Sequence, residues 1–376
     1  MELELVARGL GDPDGAFDTF FPDNSVATEA AEFSPEGGRF ATVSKSKRSA
    51  AVLQLWSSRT HEVLWRATVG GETEAVAWTR DGRLVVTGGE AAAGGGQLAV
   101  WDADTGARLS LGADGHRYAA SVESLRFSPS GRMLATGDES GHVVVWDTAR
   151  ADPALWSAVQ VIDASEGGTG PQDINQIDWT ADGRALVTAQ RNGTVAMYAQ
   201  VQPPGAAPRF ALERRFAGFA GQTVKSVRIA PDQSLVAAGA GDAGGVRVWD
   251  LATGAPVRHL ASESSPRPED WTGQPLAAER FETVLFSPDS QTLLVGGTWR
   301  PGWVTDNGFD PVGHPVPISL FRVSDLRTPA GAPRPFRTVR TWRQEYLQFD
   351  PAGRHLLSSH DDGAWRLWAV GTGCED

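Results

Sequence analysis

FSPSGRMLATGDESGHVVVWD, residues Phe127 to Asp147, combines an aromatic anchor, a short Pro/Ser/Gly turn, an apolar strand, a second turn and a strand ending in Trp-Asp. Related phrases begin at Phe33 (FSPEGGRFATV), Trp78 (WTRDGRLVVTG), Trp179 (WTADGRALVTA), Ile229 (IAPDQSLVAAG), Phe286 (FSPDSQTLLVG) and Phe349 (FDPAGRHLLSS). Successive anchors are 45, 49, 52, 50, 57 and 63 residues apart, which suits one four-stranded unit per repeat with loops that lengthen toward the C-terminus. The predicted architecture is all-β: a seven-bladed β-propeller of four-stranded antiparallel blades occupying residues 1–376 as one ring.

Trp56, Trp101, Trp146, Tyr198, Trp249, Phe321 and Trp368 close the third strand of each unit, and Asp follows at Trp101, Trp146 and Trp249. This pattern resembles the Trp-Asp signature of the WD40 repeat family and covers nearly the whole chain. The resemblance implies the propeller fold and a scaffold that binds protein partners; it does not name them, because function lies in what the platform carries. Members of that family commonly hold a His before the first strand and an Asp in the second-to-third turn as a polar network. Here Gly115-His116 is the one recognisable Gly-His pair, with Ser140, Asn192 and Asp362 at turn positions. Most blades are therefore expected to rely on packing rather than on that network.

Hydrophobic residues make up 41% of the chain and include 14 Trp and 15 Phe, enough for a ring of cores between blades. A single cysteine, Cys374, leaves no intramolecular disulfide. The start, MELELVARGL, has no signal-peptide pattern, and no run approaches the roughly 18 apolar residues of a membrane span. A cytoplasmic, monomeric protein without membrane contact is expected. The net charge of −12 disfavours nucleic acid, since the one basic cluster, Lys45, Lys47 and Arg48, is too small to outweigh it.

A ring must pair its ends or expose a sheet edge. AVGTGCED, after Trp368, is too polar for another strand, so residues 3–9, LELVARG, are predicted to supply the outer strand of the last blade, leaving 371–376 as a tail. Leu3, Leu5 and Ala7 alternate as a half-buried strand should.

The residue four before each anchor is Glu29, Glu74, Glu123, Asn175, Lys225, Glu282 or Glu345. The residue two before is apolar, and period-two alternation would put both on one side of the innermost strand. In WD40 propellers such as the G-protein beta subunit this offset helps form the top-surface contact zone, so the resemblance implies the same use here. Five carboxylates around a channel mouth would attract a Lys- or Arg-bearing peptide, or a cation. The same residues could also be merely polar starts of strands.

Length accumulates on the top face, at 44–50, 89–97, 164–173, 261–280 and 298–317. The two longest insertions contain Trp271, Trp299 and Trp303, which a solvated spacer does not need, and which are predicted to form an aromatic lip beside the mouth. Loop drift at little thermodynamic cost is the alternative.

No phosphate loop, paired-His zinc helix or Gly-x-Ser-x-Gly elbow occurs. Gly94-Gly95-Gly96 lies between strands and reads as a flexible loop, while His360-Asp361-Asp362 near Glu345 is the one cluster with metal-ligand character. The expectation is a non-catalytic module with no cofactor and no metal. The alternative is a metal-dependent propeller hydrolase or lactonase using the top-face carboxylates.

Overall fold

A computed structural model describes residues 1–10, 27–45, 51–112, 116–165, 171–201, 209–219, 221–240, 245–261, 279–299, 316–328, 331, 333–341, 344–360 and 363–371. These residues form seven four-stranded antiparallel sheets. The first strand of each blade lines the channel: Ala27–Phe33, Thr73–Trp78, Val122–Phe127, Ile174–Trp179, Val224–Ile229, Glu279–Phe286 and Gln344–Phe349, in blades 1 to 7.

Seven identical turns follow these strands. In each, the residue after the anchor donates its N–H to the first residue of the second strand, as from Ser34 to the Arg39 carbonyl (2.9 Å) and from Asp350 to that of His355 (2.9 Å). The fourth turn residue takes a left-handed backbone. Glycine fills that place five times, at φ values from 67° to 73°, and Gln233 (61°) and Ser290 (59°) take it in blades 5 and 6. A Cβ there is strained, and each of these two side chains offsets the strain by binding a neighbouring blade. Gln233 Oε1 accepts from the Ala181 N–H (2.9 Å), and Ser290 Oγ from that of Asp232 (3.0 Å).

The apolar interior is divided into seven clusters, one at every junction between successive blades. Val and Leu on the second and third strands supply most of each cluster, and each such side chain contributes about 1.5–3 kcal/mol when fully buried. At the junction of blades 7 and 1, Trp365 is wholly buried, with its ring centroid 4.8 Å from that of Phe40 and 5.1 Å from that of Trp56.

The ring closes as expected. Residues Glu2–Leu10 form the outer strand of blade 7, antiparallel to Ala364–Gly371, with Glu2 opposite Gly371 and Gly9 opposite Trp365. The expected alternation of Leu3, Leu5 and Ala7 does not hold. Leu3 enters the blade 6/7 cluster and Leu5 is exposed, while a register shift at Val6 turns Ala7 toward the blade 7/1 cluster. An extra residue in a strand inverts the faces beyond it.

The polar network is also more widespread than its sequence signature suggests. Third-strand indoles donate to second-strand hydroxyls: Trp56 to Thr42 (3.0 Å), Trp101 to Thr87 (3.1 Å) and Trp368 to Ser358 (2.8 Å). In blade 3 the Tyr118 hydroxyl intervenes, 2.9 Å from the Trp146 indole nitrogen and 2.6 Å from Thr136 Oγ1. Thr42, Thr87, Thr136 and Ser358 each stand nine residues after an anchor; Ala238 and Val295 hold that place in blades 5 and 6.

Candidate partner-binding mouth of the channel

The innermost strands are sheet edges, and their outward N–H and C=O groups need partners. In blades 4, 5 and 7, side chains one or three residues before the anchor reach across to supply them. Gln348 accepts from the Phe33 N–H (2.6 Å), Gln176 from Val227 (2.8 Å), Asp178 from Ile229 (2.9 Å) and Ser226 from Val284 (3.1 Å). Carbonyls are taken from the other side, by the Trp78 indole on Glu32 (3.0 Å) and the Trp179 indole on Arg126 (3.0 Å). These bonds fix the seven strands around the channel and set where their upper ends point.

In all seven blades the pairing of first and second strands shifts by one residue, and the skipped residue is the one four before the anchor. The shifts fall between Thr28 and Ala30, Thr73 and Ala75, Val122 and Ser124, Ile174 and Gln176, Val224 and Ser226, Phe281 and Thr283, and Gln344 and Tyr346. Glu29, Glu74, Glu123, Asn175, Lys225, Glu282 and Glu345 are therefore β-bulge residues. Simple alternation was expected to carry them to the mouth on the face of the residue two before the anchor. Instead, the bulge breaks that alternation and re-aims the side chain.

Six of the seven line a cavity of about 120 Å³ at the mouth: Glu29, Glu74, Glu123, Asn175, Lys225 and Glu345. Glu345, Glu29, Glu74 and Glu123 belong to the consecutive blades 7, 1, 2 and 3, so four carboxylates form one arc. Asn175 and Lys225 occupy the facing sector in blades 4 and 5. Asn175 donates to the Val224 carbonyl (2.7 Å), and Lys225 is exposed. Glu282 has its bulge in blade 6, and Trp299 ends that blade's second strand, Thr292–Trp299. The side chains of Glu282 and Trp299, and the whole of Trp271 and Trp303, lie outside the described residues.

Where the mouth meets the lower channel lies a charged waist that sequence reading did not single out. Glu32, Arg126, Asp178 and Arg228, each immediately before an anchor, meet there with Tyr346. Arg126 Nη1 is 3.7 Å from Glu32 Oε1, and its Nε is 3.5 Å from Asp178 Oδ1. The Arg228 guanidinium lies over the Tyr346 ring, 5.2 Å from its centroid. Burial pushes the Glu32 carboxyl up to about 7, against the lowering effect of Arg126 and Arg228. The signal was a charged residue where an inner-strand side chain must face a neighbour or the channel.

Among the described residues no group of three or more His, Cys, Asp or Glu is arranged to hold a metal ion. His360 is buried, with Nε2 2.7 Å from the Ser358 hydroxyl that accepts from the Trp368 indole. Asp361, Asp362 and His314 lie outside the described residues. Of the glycine loop, Gly94 and Gly95 take left-handed backbone in the connection after Leu84–Glu90.

The family profile described as "WD domain, G-beta repeat" matches residues 109–147 and 212–250, spanning parts of blades 2 and 3 and of blades 4 and 5. Periodic tryptophan protein 2 of Arabidopsis thaliana is 24% identical over 280 residues, covering 73% of this chain and 24% of that protein. Transcription initiation factor TFIID subunit 5 of Caenorhabditis elegans is 25% identical over 169 residues, 45% of this chain and 23% of the relative. The Periodic tryptophan protein 2 homolog of Dictyostelium discoideum is 26% identical over 171 residues, 46% of this chain and 17% of its own length. The chain thus spans about a quarter or less of the relatives' lengths. Two stretches of the chain thus match the WD40 repeat profile, and its seven sheets of one pattern form a seven-bladed β-propeller.

Proposed function

We propose that this propeller is a non-catalytic platform that binds a protein or peptide on its top face and seats a basic side chain of that partner in the channel mouth. The supporting observation is the bulge repeated in every inner strand, which directs the residue four before the anchor into the mouth and gathers Glu345, Glu29, Glu74 and Glu123 along one arc. Carboxylates focused in a concave site raise the local concentration of cations and speed encounter with a basic partner. Lys225 and Asn175, opposite the arc, give the bound segment a direction, since a second positive charge there is repelled. Relatives point the same way, one of them being by name a subunit of a larger factor. Glu282 and the tryptophans Trp271, Trp299 and Trp303 belong to the same proposal as its outer contacts.

The test is a titration of a fluorescent Lys/Arg-rich decapeptide into the protein at several salt concentrations. Replacing Glu74 and Glu123 together by Gln keeps shape and removes two charges, and is expected to weaken binding by roughly two- to thirtyfold at low salt. That gap should narrow as salt increases. Lys225→Gln should leave affinity unchanged or raise it. Equal affinity of the wild type and the double variant at low salt would overturn the proposal.

A further inference from the structure

The lower half of the channel shares Arg126, Arg228 and Tyr346 with the mouth, but in place of the acidic arc it has one carboxylate, Asp178, and more apolar walls. A second cavity of about 130 Å³ extends from the waist to Pro231 in the bottom turn of blade 5. At its inner end stand Arg126 and Arg228, and its walls include Ile229, Leu285, Phe286 and Leu347. A dry cavity of about 150 Å³ is known to take a benzene-sized guest, so this space suits a small ring or branched alkyl group.

Arg228 is 5% exposed. Its Nη1 donates to the Val227 carbonyl (3.2 Å) and one face covers Tyr346, but among the described residues no carboxylate forms an ion pair with it. A buried cation whose nearest counter-charge, Glu32, acts on it only at longer range is costly, and this one borders the open volume. Asp178 is committed to the Ile229 N–H and to Arg126, and the Glu32 contact to Arg126 is long. The two guanidiniums therefore leave room for no more than about one further negative charge. A planar monoanion matches both that balance and the forked donors of arginine, whereas a phosphate dianion overshoots it.

We infer that the bottom half of the channel is a carboxylate site, taking a monocarboxylate on a small apolar group with its oxygens on Arg228 and Arg126 and its apolar part against Leu285. Such a group is supplied by a free small carboxylic acid or by the free C-terminus of a peptide ending in an apolar residue. Entry is from the bottom face, away from the acidic arc.

Calorimetric titration with benzoate, benzamide, inorganic phosphate, and a Phe-ending tripeptide with free or amidated C-terminus tests this directly. Benzoate or the free-acid tripeptide should bind, while benzamide, phosphate and the amidated peptide should not. Binding by benzoate alone assigns the site to free acids, and binding by the peptide alone assigns it to chain ends. Arg228→Gln should weaken the binding ligand by roughly tenfold or more. Leu285→Phe, which fills the cavity without touching a charge, should do the same and serves if the arginine variant does not fold. Failure of both carboxylates to bind, equal binding of benzoate and benzamide, or wild-type affinity in Leu285→Phe would overturn the inference.

Discussion

Placing a methyl group on residue 9 tests the closure of the ring at its tightest point. Gly9 faces Trp365 across the outer pair of blade 7, and a Cβ there would sit 2.5, 2.7 and 2.8 Å from the Cζ2, Cε2 and Nε1 atoms of that indole. Ordinary contact needs roughly 3.5 Å, so either the strand or the indole must move by nearly an ångström. The indole has nowhere to go, being wholly buried against Phe40 and Trp56. Overpacking of this kind costs about 1–3 kcal/mol. Domains of 150–250 residues lose roughly 2–4 °C per kcal/mol, and a longer chain somewhat less, so Gly9→Ala should melt a few degrees below wild type. Differential scanning calorimetry at a fixed scan rate, with Leu5→Ala as an exposed-strand comparison, is the assay. Were the strand not seated, alanine would restrict the unfolded chain and stabilise by about 0.4–1 kcal/mol. An unchanged or raised melting temperature in Gly9→Ala would therefore refute the packing described for the closure.

Two further outcomes follow from the turns and the waist. At Ser290, Gly should relieve a left-handed strain of about 1–2 kcal/mol while losing the bond to Asp232, whereas Ala loses the bond and keeps the strain. The Gly variant should accordingly be the more stable of the two by about 1–2 kcal/mol in urea melts, and coincident curves would contradict the strain. Glu32 holds its proton more tightly folded than unfolded, so the native state binds more protons between pH 4.5 and about 7, and its burial costs stability progressively as pH rises through that window. The full cost, about 3 kcal/mol, is present above pH 7. Glu32→Gln should gain on wild type by about that amount between pH 4.5 and pH 8 in denaturant titrations, and parallel pH profiles would show that the carboxyl is not displaced.

The propeller was legible because anchor, turn and third-strand aromatic recur in phase seven times, and because AVGTGCED left the last blade short of a strand. The convergence of Glu29, Glu74, Glu123 and Glu345 at the mouth was also legible from their common offset. The bulges that aim them were not, because a one-residue slip depends on the pairing with the second strand and leaves no mark in polar/apolar alternation. The same limit explains Ala7, which faces the other junction from Leu3 because Val6 is skipped. Thr42, Thr87, Thr136 and Ser358 did carry a signal, a hydroxyl nine residues after the anchor, and could have revealed the indole bonds. Glu32, Arg126, Asp178 and Arg228 were visible as charges beside anchors. Their meeting was not, because it brings together blades 1, 3, 4 and 5 across a space that exists only when the ring is shut.

The pairing of Glu2 with Gly371 also orders events in time. Within the ring, a ribosome makes the outer strand of blade 7 before every other strand and the three strands it completes after them, so while blades 1 to 6 are made Glu2–Leu10 has no native sheet to join. The entropy of closing so large a loop grows only logarithmically with its length, and the delay arises from waiting for a partner strand that has not yet been made. Blades 1 to 6 can stack meanwhile, but the apolar faces of blades 1 and 6 that blade 7 will cover stay open until the strands of blade 7 have been made. Those two faces are where aggregation begins if blade 7 is slow to form, and where a chaperone has most to protect.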